Sequence, residues 1–168
     1  MTRWILRFLV LFSLPVAAQQ VTISPAFPKA DQPITLTVDV TGTGTALENY
    51  ANDVYIWTWI PGNSASPPTN VNPASNMSVA LRNSAKWTKL STNVYTFTYT
   101  PTTFFNAPLS AFSGNRMGFL LKGNDWTNGQ TADLFVNFFT GFATQFTQPT
   151  ASSFFVNNGQ QISISAVA

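Results

Sequence analysis

The feature that most constrains this chain is an alternation of apolar and polar residues with a period of two. Between residues 33 and 40, Ile34, Leu36 and Val38 alternate with hydroxyl and carboxylate side chains, and residues 93–100 repeat the pattern with aromatic residues. Such alternation puts apolar side chains on one face of a β-strand and polar ones on the other. No segment shows a sustained 3.6-residue period, and the eleven prolines fall between the apolar runs. The pattern therefore predicts an all-β chain.

Seven apolar runs have the length of strands, and turn signals such as residues 61–63 and 127–129 separate them. About seven strands in roughly 100 residues is typical of an immunoglobulin-like antiparallel β-sandwich, which is the predicted fold. The longest gap, Pro61 to Asn83, is rich in Asn, Pro and Ser and is interpreted as a surface excursion. The predicted strands are Val21–Ser24, Ile34–Val40, Asp53–Ile60, Ala85–Leu90, Asn93–Tyr99, Arg116–Lys122 and Ala132–Phe139.

The alternation also predicts which side chains fill the core of this sandwich. The buried face of each strand carries the apolar members of the pattern, while the hydroxyl groups of the other face stay hydrated. The residues expected to be buried are Ile34, Leu36, Val38, Phe97, Phe119 and Val136. The residues expected to be substantially more exposed are Thr35, Thr37, Thr96 and Thr98.

The first 18 residues have the pattern of a secretory signal peptide. Two arginines precede a short apolar run at residues 8–14, and small residues at 16–18 follow it. This order is typical of an exported protein that is cleaved after Ala18. The apolar run is well short of the roughly 18 residues that a membrane span needs. The sequence therefore predicts a secreted or cell-surface protein with no membrane span, whose exported form begins at Gln19.

A second boundary is predicted near the C-terminus. Residues 148–151 are interpreted as a linker that follows a β-sandwich module of residues 19–147. Residues 152–168 carry two apolar runs around the turn dipeptide Asn158-Gly159. Because two strands alone cannot bury a core, these residues are expected to be the first strands of a further β-sandwich module, truncated here. The alternative is that another subunit supplies the missing strands by β-augmentation.

Removing the predicted leader changes the charge balance. The whole chain has eight basic and six acidic residues, and the leader holds two of the basic ones, Arg3 and Arg7, so the exported part has no net formal charge. A neutral chain with scattered charges does not have the basic patch that nucleic-acid binding requires. Only 8% of the residues are charged, against a usual quarter, which favours a surface partly covered by neighbouring modules or other subunits.

Several enzyme classes are excluded by residue types alone. The chain contains no cysteine and no histidine, so it lacks a thiolate nucleophile, an imidazole base and a Cys/His zinc site. Six carboxylates are present, and nothing in their spacing predicts the close pair that glycoside hydrolysis needs. The sequence therefore predicts no catalytic residues, no enzyme activity within these residues and no cofactor.

Oxygen-bearing side chains cluster between the last two predicted strands. Asn124, Asp125, Asn128 and Asp133 supply carboxylate and amide oxygens, which are the ligands that Ca²⁺ prefers. Their spacing matches no calcium-loop template, and two carboxylates supply little charge for a divalent cation. A plain turn and a calcium site built on Asp125 and Asp133 are both open interpretations.

Tryptophans are the stronger candidates for ligand contact. Trp57 and Trp59 lie on the third predicted strand and project to the same side, about 7 Å apart. Trp126 lies in an Asn-rich turn, where Asn124 and Asn128 provide amides. Sugar-binding modules stack sugar rings on exposed aromatic faces, beside amides that bind the hydroxyls. Packing in the core or at an interface explains the same tryptophans, because one face of that strand must be buried, so both interpretations are open.

Five stretches in the region of residues 20–140 carry a resemblance to a known family. They are Val21–Leu36, Leu47–Tyr55, Phe104–Pro108, Met117–Gly123 and Ala132–Val136. In this order they resemble the N-terminal immunoglobulin-like β-sandwich modules of secreted Bacteroidota proteins. Such modules stand ahead of α-amylase-type catalytic domains or in multidomain surface proteins exported by type IX secretion. Members of the family are often richer in Gly and Asp at the position of residues 124–129.

Two functions are consistent with these observations. The first is a non-catalytic extracellular β-sandwich module that acts as a structural and interaction unit of a secreted multidomain surface protein or assembly. Its partners are neighbouring β modules or other subunits. The second is a glycan-binding accessory module of a secreted polysaccharide-degrading enzyme, whose catalytic domain lies downstream. The phenylalanine-rich, charge-poor composition favours the first function.

Overall fold

A computed structural model of the chain describes residues 19–140, 145–148 and 165–167. The predicted leader, residues 1–18, lies outside the described residues, as do residues 149–151 of the predicted linker and most of the predicted further module. Within the described part of the chain, no helix has the length and apolar character needed to cross a bilayer.

Seven strands form two antiparallel sheets between residues 20 and 137. In chain order they are β1 Gln20–Ser24, β2 Ile34–Asp39, β3 Tyr55–Trp59, β4 Thr88–Lys89, β5 Val94–Tyr99, β6 Arg116–Lys122 and β7 Leu134–Asn137. One sheet has the strand order β1-β2-β5-β4, and the other has the order β3-β6-β7. Constant-type immunoglobulin sandwiches divide their strands in the same way, with the third, sixth and seventh strands in one sheet. The predicted fold class is confirmed.

The register of the four-stranded sheet follows from the alternation in the sequence. Ile34, Leu36 and Val38 of β2 lie opposite the aromatic residues of β5, and all three side chains are fully buried. On the other face, the hydroxyls of Thr35 and Thr98 lie 2.9 Å apart and form a cross-strand hydrogen bond. The predicted division into buried apolar residues and more exposed threonines is confirmed, and Phe97, Phe119 and Val136 are buried as well.

Aromatic side chains fill the space between the two sheets. Trp87 is 3% exposed, and its ring centroid lies 5.4 Å from that of Phe97 and 6.2 Å from that of Phe119, so it contacts both sheets. The phenol of Tyr99 on β5 donates to the Sδ of Met117 on β6 at 3.2 Å. Fully burying such side chains contributes about 1.5–3 kcal/mol each, which stabilises a sandwich that contains no disulfide.

The fourth predicted strand, Ala85–Leu90, is mostly wrong, because this segment crosses from one sheet to the other. Lys86 forms a bridge with Tyr55 of β3, and the amide of Trp87 donates to the carbonyl of Val54 at 2.9 Å. Thr88 then pairs with β5 in the other sheet, so the only part of this segment that pairs with β5 as a strand is the two-residue β4. The crossing is what carries the Trp87 ring into the core.

Short α-helices occupy two of the predicted connections. The excursion from Pro61 contains a 3₁₀ turn at Ala74–Asn76 and a helix, α1, at Val79–Ala85. The hydroxyl of Ser78 caps α1 by accepting from the amide of Leu81 at 3.2 Å. A second helix, α2, spans Pro101–Phe105 with its proline at the first turn. Both helices are too short to show a helical period in the sequence.

The open edge of β3 is blocked by a single side chain. The amide of Asn70 accepts from the backbone N–H of Thr58 at 3.2 Å and donates to the carbonyl of the same residue at 2.6 Å. The Asn70 side chain thus takes the place of a neighbouring strand at this position, which protects the edge against pairing with another chain.

Two further strands lie after the sandwich. Gln145–Gln148 pairs antiparallel with Ser165–Val167 in a separate two-stranded sheet. Gln148, the first residue of the predicted linker, is the last residue of the first of these strands. The boundaries of the predicted further module stay a prediction.

Alkaline stability tests the packing of Tyr99. Burial raises the pKa of Tyr99 far above its usual value of 10.0, and the pKa values of Tyr55 and Tyr95 are raised by the same cause. Above about pH 10 the unfolded chain therefore releases phenolic protons that the folded chain keeps. The free energy of unfolding falls as pH rises, by about 1.4 kcal/mol per pH unit for each proton.

Urea unfolding at intervals from pH 8 to pH 11.5 measures this loss. The variant Tyr99→Phe removes one ionising group, so its free energy of unfolding should fall less steeply above pH 10 than that of the wild-type chain. Below pH 9 the two curves should run parallel. Equal slopes above pH 10 would mean that Tyr99 is not buried in the folded chain.

Candidate ligand-binding face

The outer face of the three-stranded sheet carries large aromatic side chains. Trp59 pairs with Gly118, and Gly118 pairs with Phe135, so these three residues lie in one row across the sheet. Trp57 pairs with Leu120 in the next row of the same face. Trp126 extends the face from the loop between β6 and β7. We define the aromatic face as Trp57, Trp59, Trp126 and Phe135.

The structure excludes the core-packing interpretation of Trp57 and Trp59. The inner face of β3 is already filled by Ile56 and Thr58, which are at most 1% exposed, and the core tryptophan is Trp87. Both indoles of β3 therefore lie on the outer face, where they are half-buried by their neighbours. Trp126 is 40% exposed, which places it among the most exposed large apolar residues of the described chain.

Trp59 lies flat on the sheet because its partner is a glycine. A Cβ at position 118 would overlap the Cε2, Cζ2 and Nε1 atoms of Trp59, with Cε2 nearest. Since Cε2 is bonded to the other two atoms, the indole lies face-on over Gly118. The opposite face of the indole is directed away from the sheet, and the phenyl of Phe135 packs against the indole in an edge-to-face arrangement with 6.0 Å between the ring centroids. This geometry makes Trp59 a platform for a flat apolar ligand surface.

Arg116 lies at one end of the aromatic face. Its Cζ atom lies 3.7 Å from the centroid of the Phe135 ring, a cation–π contact, while the residue as a whole is exposed. Within residues 19–140, the guanidinium takes part in no ion pair. Its hydrogen-bond donors are therefore available at the rim of the face.

Trp57 and Trp126 form an aromatic pair above a buried lysine. Their ring centroids lie 4.8 Å apart at an interplanar angle of 64°. The Nζ of Lys122, which is 1% exposed, lies 4.8 Å from the Trp126 centroid and 5.8 Å from the Trp57 centroid. Nζ also donates to the backbone carbonyl of Asn124 at 3.2 Å. These contacts hold the two indoles over the end of β6.

The charge of Lys122 is disfavoured by its surroundings. Burial lowers the pKa of Lys122 below its usual value, and the nearby Asp125 carboxylate opposes that effect. The carboxylate is exposed, and hydrogen bonds from the side chain and amide of Thr127 lower the pKa of Asp125. The pair places a positive charge beneath the indoles and a negative charge at the surface of the loop.

Asn124 and Asn128, whose amides the sequence predicts as ligand contacts, form hydrogen bonds that shape the loop. The Oδ1 of Asn124 accepts from the amide of Ser75 at 2.8 Å, and its backbone carbonyl accepts from the amide of Ala74. The Oδ1 of Asn128 accepts from the amide of Asp125 at 3.2 Å, as one half of a capping box around a 3₁₀ turn at Trp126–Asn128. These bonds position Trp126 at the edge of the aromatic face.

The carboxylate of Asp125 is also used within this turn. Its Oδ1 accepts from the amide of Thr127 at 2.8 Å and from the amide of Asn128 at 3.2 Å. Asp133 is exposed immediately before β7. In the described part of the chain, no three His, Cys, Asp or Glu side chains lie close enough together to hold a metal ion. The calcium interpretation of Asp125 and Asp133 stays a prediction.

Sequence reasoning missed Arg116, Lys122, Phe135 and the part that Gly118 plays. A signal for three of them is present in β6, because alternate residues of a strand lie on one face and residues 116, 118, 120 and 122 therefore share the outer face of the sheet. Lys122 ends an apolar run, and its side chain belongs to this same outer face. Its position therefore indicates a cation beside the tryptophans of the paired strand. The position of Phe135 over Arg116 depends on the register of β7, which the pattern alone does not predict.

The chain matches no known protein family, and no curated protein shows significant similarity to it.

The variant Gly118→Ala tests the packing of the Trp59 indole against Gly118. A methyl group at this position overlaps the indole, so the ring must leave the sheet or the strand must shift, at a cost of about 1–3 kcal/mol. The variant Gly114→Ala is the control, because a Cβ at position 114 meets no atom within 4 Å. Urea unfolding should show a lower free energy of unfolding for Gly118→Ala and little change for Gly114→Ala. Equal stability of both variants would contradict the face-on placement.

Proposed function

We propose that this chain is a non-catalytic extracellular β-sandwich module that acts as a structural and interaction unit of a secreted multidomain surface protein or assembly. It engages its partner through the aromatic face. The observation that carries the proposal is the placement of the Trp59 and Trp126 side chains outside the sandwich core, while Trp87 is buried between the two sheets.

The residue types of the face support an interaction function. Trp and Arg are the residues that most often carry binding energy at interfaces, and this face presents three tryptophans with Arg116 at the rim. The strands β3 and β6 hold Trp57, Trp59 and Gly118 in fixed register, so that little conformational entropy is lost when a ligand binds. A site on sheet strands is more rigid than a site on loops.

The remaining chemistry of the chain supports a non-catalytic module. Histidine and cysteine are absent from the sequence. Several carboxylates are used in local structure: Glu48 accepts from the amides of Gly42 and Gly44, and Asp53 pairs with Lys86 at 3.4 Å. Asp39 accepts from the amide of Thr41. The predicted leader supports an extracellular location.

Binding to the cell surface and extracellular matrix of the organism that makes the protein tests this function. The exported chain should begin at Gln19 by N-terminal sequencing and should be retained on that surface. The double variant Trp59→Ala/Trp126→Ala should reduce the retained fraction about tenfold, because it removes two of the three indole surfaces of the aromatic face.

The matched control alters the outer face of the other sheet. The double variant Thr35→Ala/Thr98→Ala removes a hydroxyl pair there and should be retained like the wild-type chain. Equal retention of both double variants, or a chain that stays inside the cell with Met1 intact, would overturn the proposed function.

A further inference from the structure

We propose that the aromatic face binds an acidic polysaccharide, with a uronate sugar ring stacked on Trp59 and its carboxylate bound by Arg116. This inference rests on the proposed function and names the ligand class of the same face. The juxtaposition of an indole that lies face-on over the sheet with a guanidinium that forms no ion pair within residues 19–140 carries it.

The open face of Trp59 suits a sugar ring. A pyranose has a flat side made of C–H groups, which carry partial positive charge and meet the negative face of an aromatic ring. Trp59 lies face-on over Gly118 and is half-buried, so part of the opposite side of the indole is accessible from outside the sheet. A protein partner more often inserts an anchor side chain into a pocket, whereas a flat ring on a flat sheet offers a stacking surface.

Arg116 provides a specific contact for a carboxylate. The stacking of its guanidinium on Phe135, with Cζ 3.7 Å from the ring centroid, restrains the plane of the group. The edges of that plane carry paired N–H donors that match the two oxygens of a carboxylate. Because the residue is exposed and makes no ion pair within residues 19–140, these paired N–H donors can bind an anion.

The spacing of the two groups fits one sugar residue. Arg116 and Gly118 lie two residues apart on the same face of β6, which corresponds to about 7 Å along the strand. The Phe135 ring contacts both groups, with its centroid 6.0 Å from that of Trp59 and 3.7 Å from the Arg116 Cζ. In the proposed complex, a uronate stacked on Trp59 directs its ring carboxylate toward Arg116.

The charges around the face are complementary to an anion. Arg116 at one end and Lys122 beneath the other end are both positive. The carboxylate of Asp125 is bonded to the loop amides and lies beside Lys122, and Asp133 is exposed immediately before β7. The exposed positive charge of the face is therefore that of Arg116 at its rim, which is where the proposed carboxylate binds.

Affinity electrophoresis and titration calorimetry with polygalacturonate as the probe test the inference on the full chain. Wild-type protein should bind polygalacturonate and should bind the neutral polysaccharide dextran at least about tenfold more weakly, because dextran lacks the carboxylate. The affinity for polygalacturonate should fall as salt is added, since an ion pair contributes to it. Poly-L-glutamate, an acidic polymer without sugar rings, should bind as weakly as dextran.

Three variants separate the stacking and ionic contributions. Trp59→Ala and Arg116→Gln should each weaken polygalacturonate binding about tenfold or more, and Arg116→Lys should recover only part of the loss because it keeps the charge without the paired N–H donors. Lys89→Gln removes a cation from the other sheet and should bind like the wild-type chain. Arg116 is exposed, so its variants keep the fold and report on binding even where Trp59→Ala lowers stability.

Several outcomes would overturn the inference. They are no binding of polygalacturonate, equal binding of dextran or poly-L-glutamate, and unchanged affinity in Arg116→Gln. If one of these occurs while retention on the cell surface still depends on Trp59 and Trp126, the acidic-glycan inference fails and the proposed interaction function stands. If retention is also independent of those tryptophans, both fail.

Discussion

The structure depends on the requirement that each sheet bury one face against the other. Without disulfides, the two inner faces must supply the stabilising burial, and the alternation in β2, β5 and β6 places large apolar side chains there. Trp87 completes this layer, because the segment that carries it crosses between the sheets and brings its indole against Phe97 and Phe119. Because this inner space is filled, Trp57 and Trp59, which alternate with the inward residues of β3, lie on the outer face of the sheet.

The outer tryptophans keep a defined geometry because neighbouring residues hold them. Gly118 leaves room for Trp59 to lie flat, and the buried ammonium of Lys122 holds the Trp57 and Trp126 rings near the end of β6. Burial of Lys122 costs free energy, which the two aromatic rings and one carbonyl offset only in part, as its lowered pKa indicates. A polar group retained at such a cost is consistent with a face that serves binding rather than stability.

Much of this fold could be predicted from the sequence, because a period of two determines both strand and face. Six of the seven strands between residues 20 and 137 follow from this pattern, as do inward residues such as Leu36 and Phe119, whereas the fourth is reduced to Thr88–Lys89. Helix α1 and the crossing around Trp87 could not be predicted, since they depend on which sheet each short segment pairs with. The aromatic face was predicted only in part: the common side of Trp57 and Trp59 followed from parity, but the roles of Arg116 and Gly118 required the register between strands.

The buried Trp87 and the tryptophans of the aromatic face should respond differently to ligand. Trigalacturonate is titrated into ¹⁵N-labelled protein while the indole Nε1–H signals are followed by two-dimensional NMR. We expect the Trp59 signal to shift in a saturable way, while the signal of Trp87, which is 3% exposed, stays in place. A fixed Trp59 signal, or a shift of Trp87 that equals or exceeds it, would contradict the assignment of the outer sheet face as the binding surface.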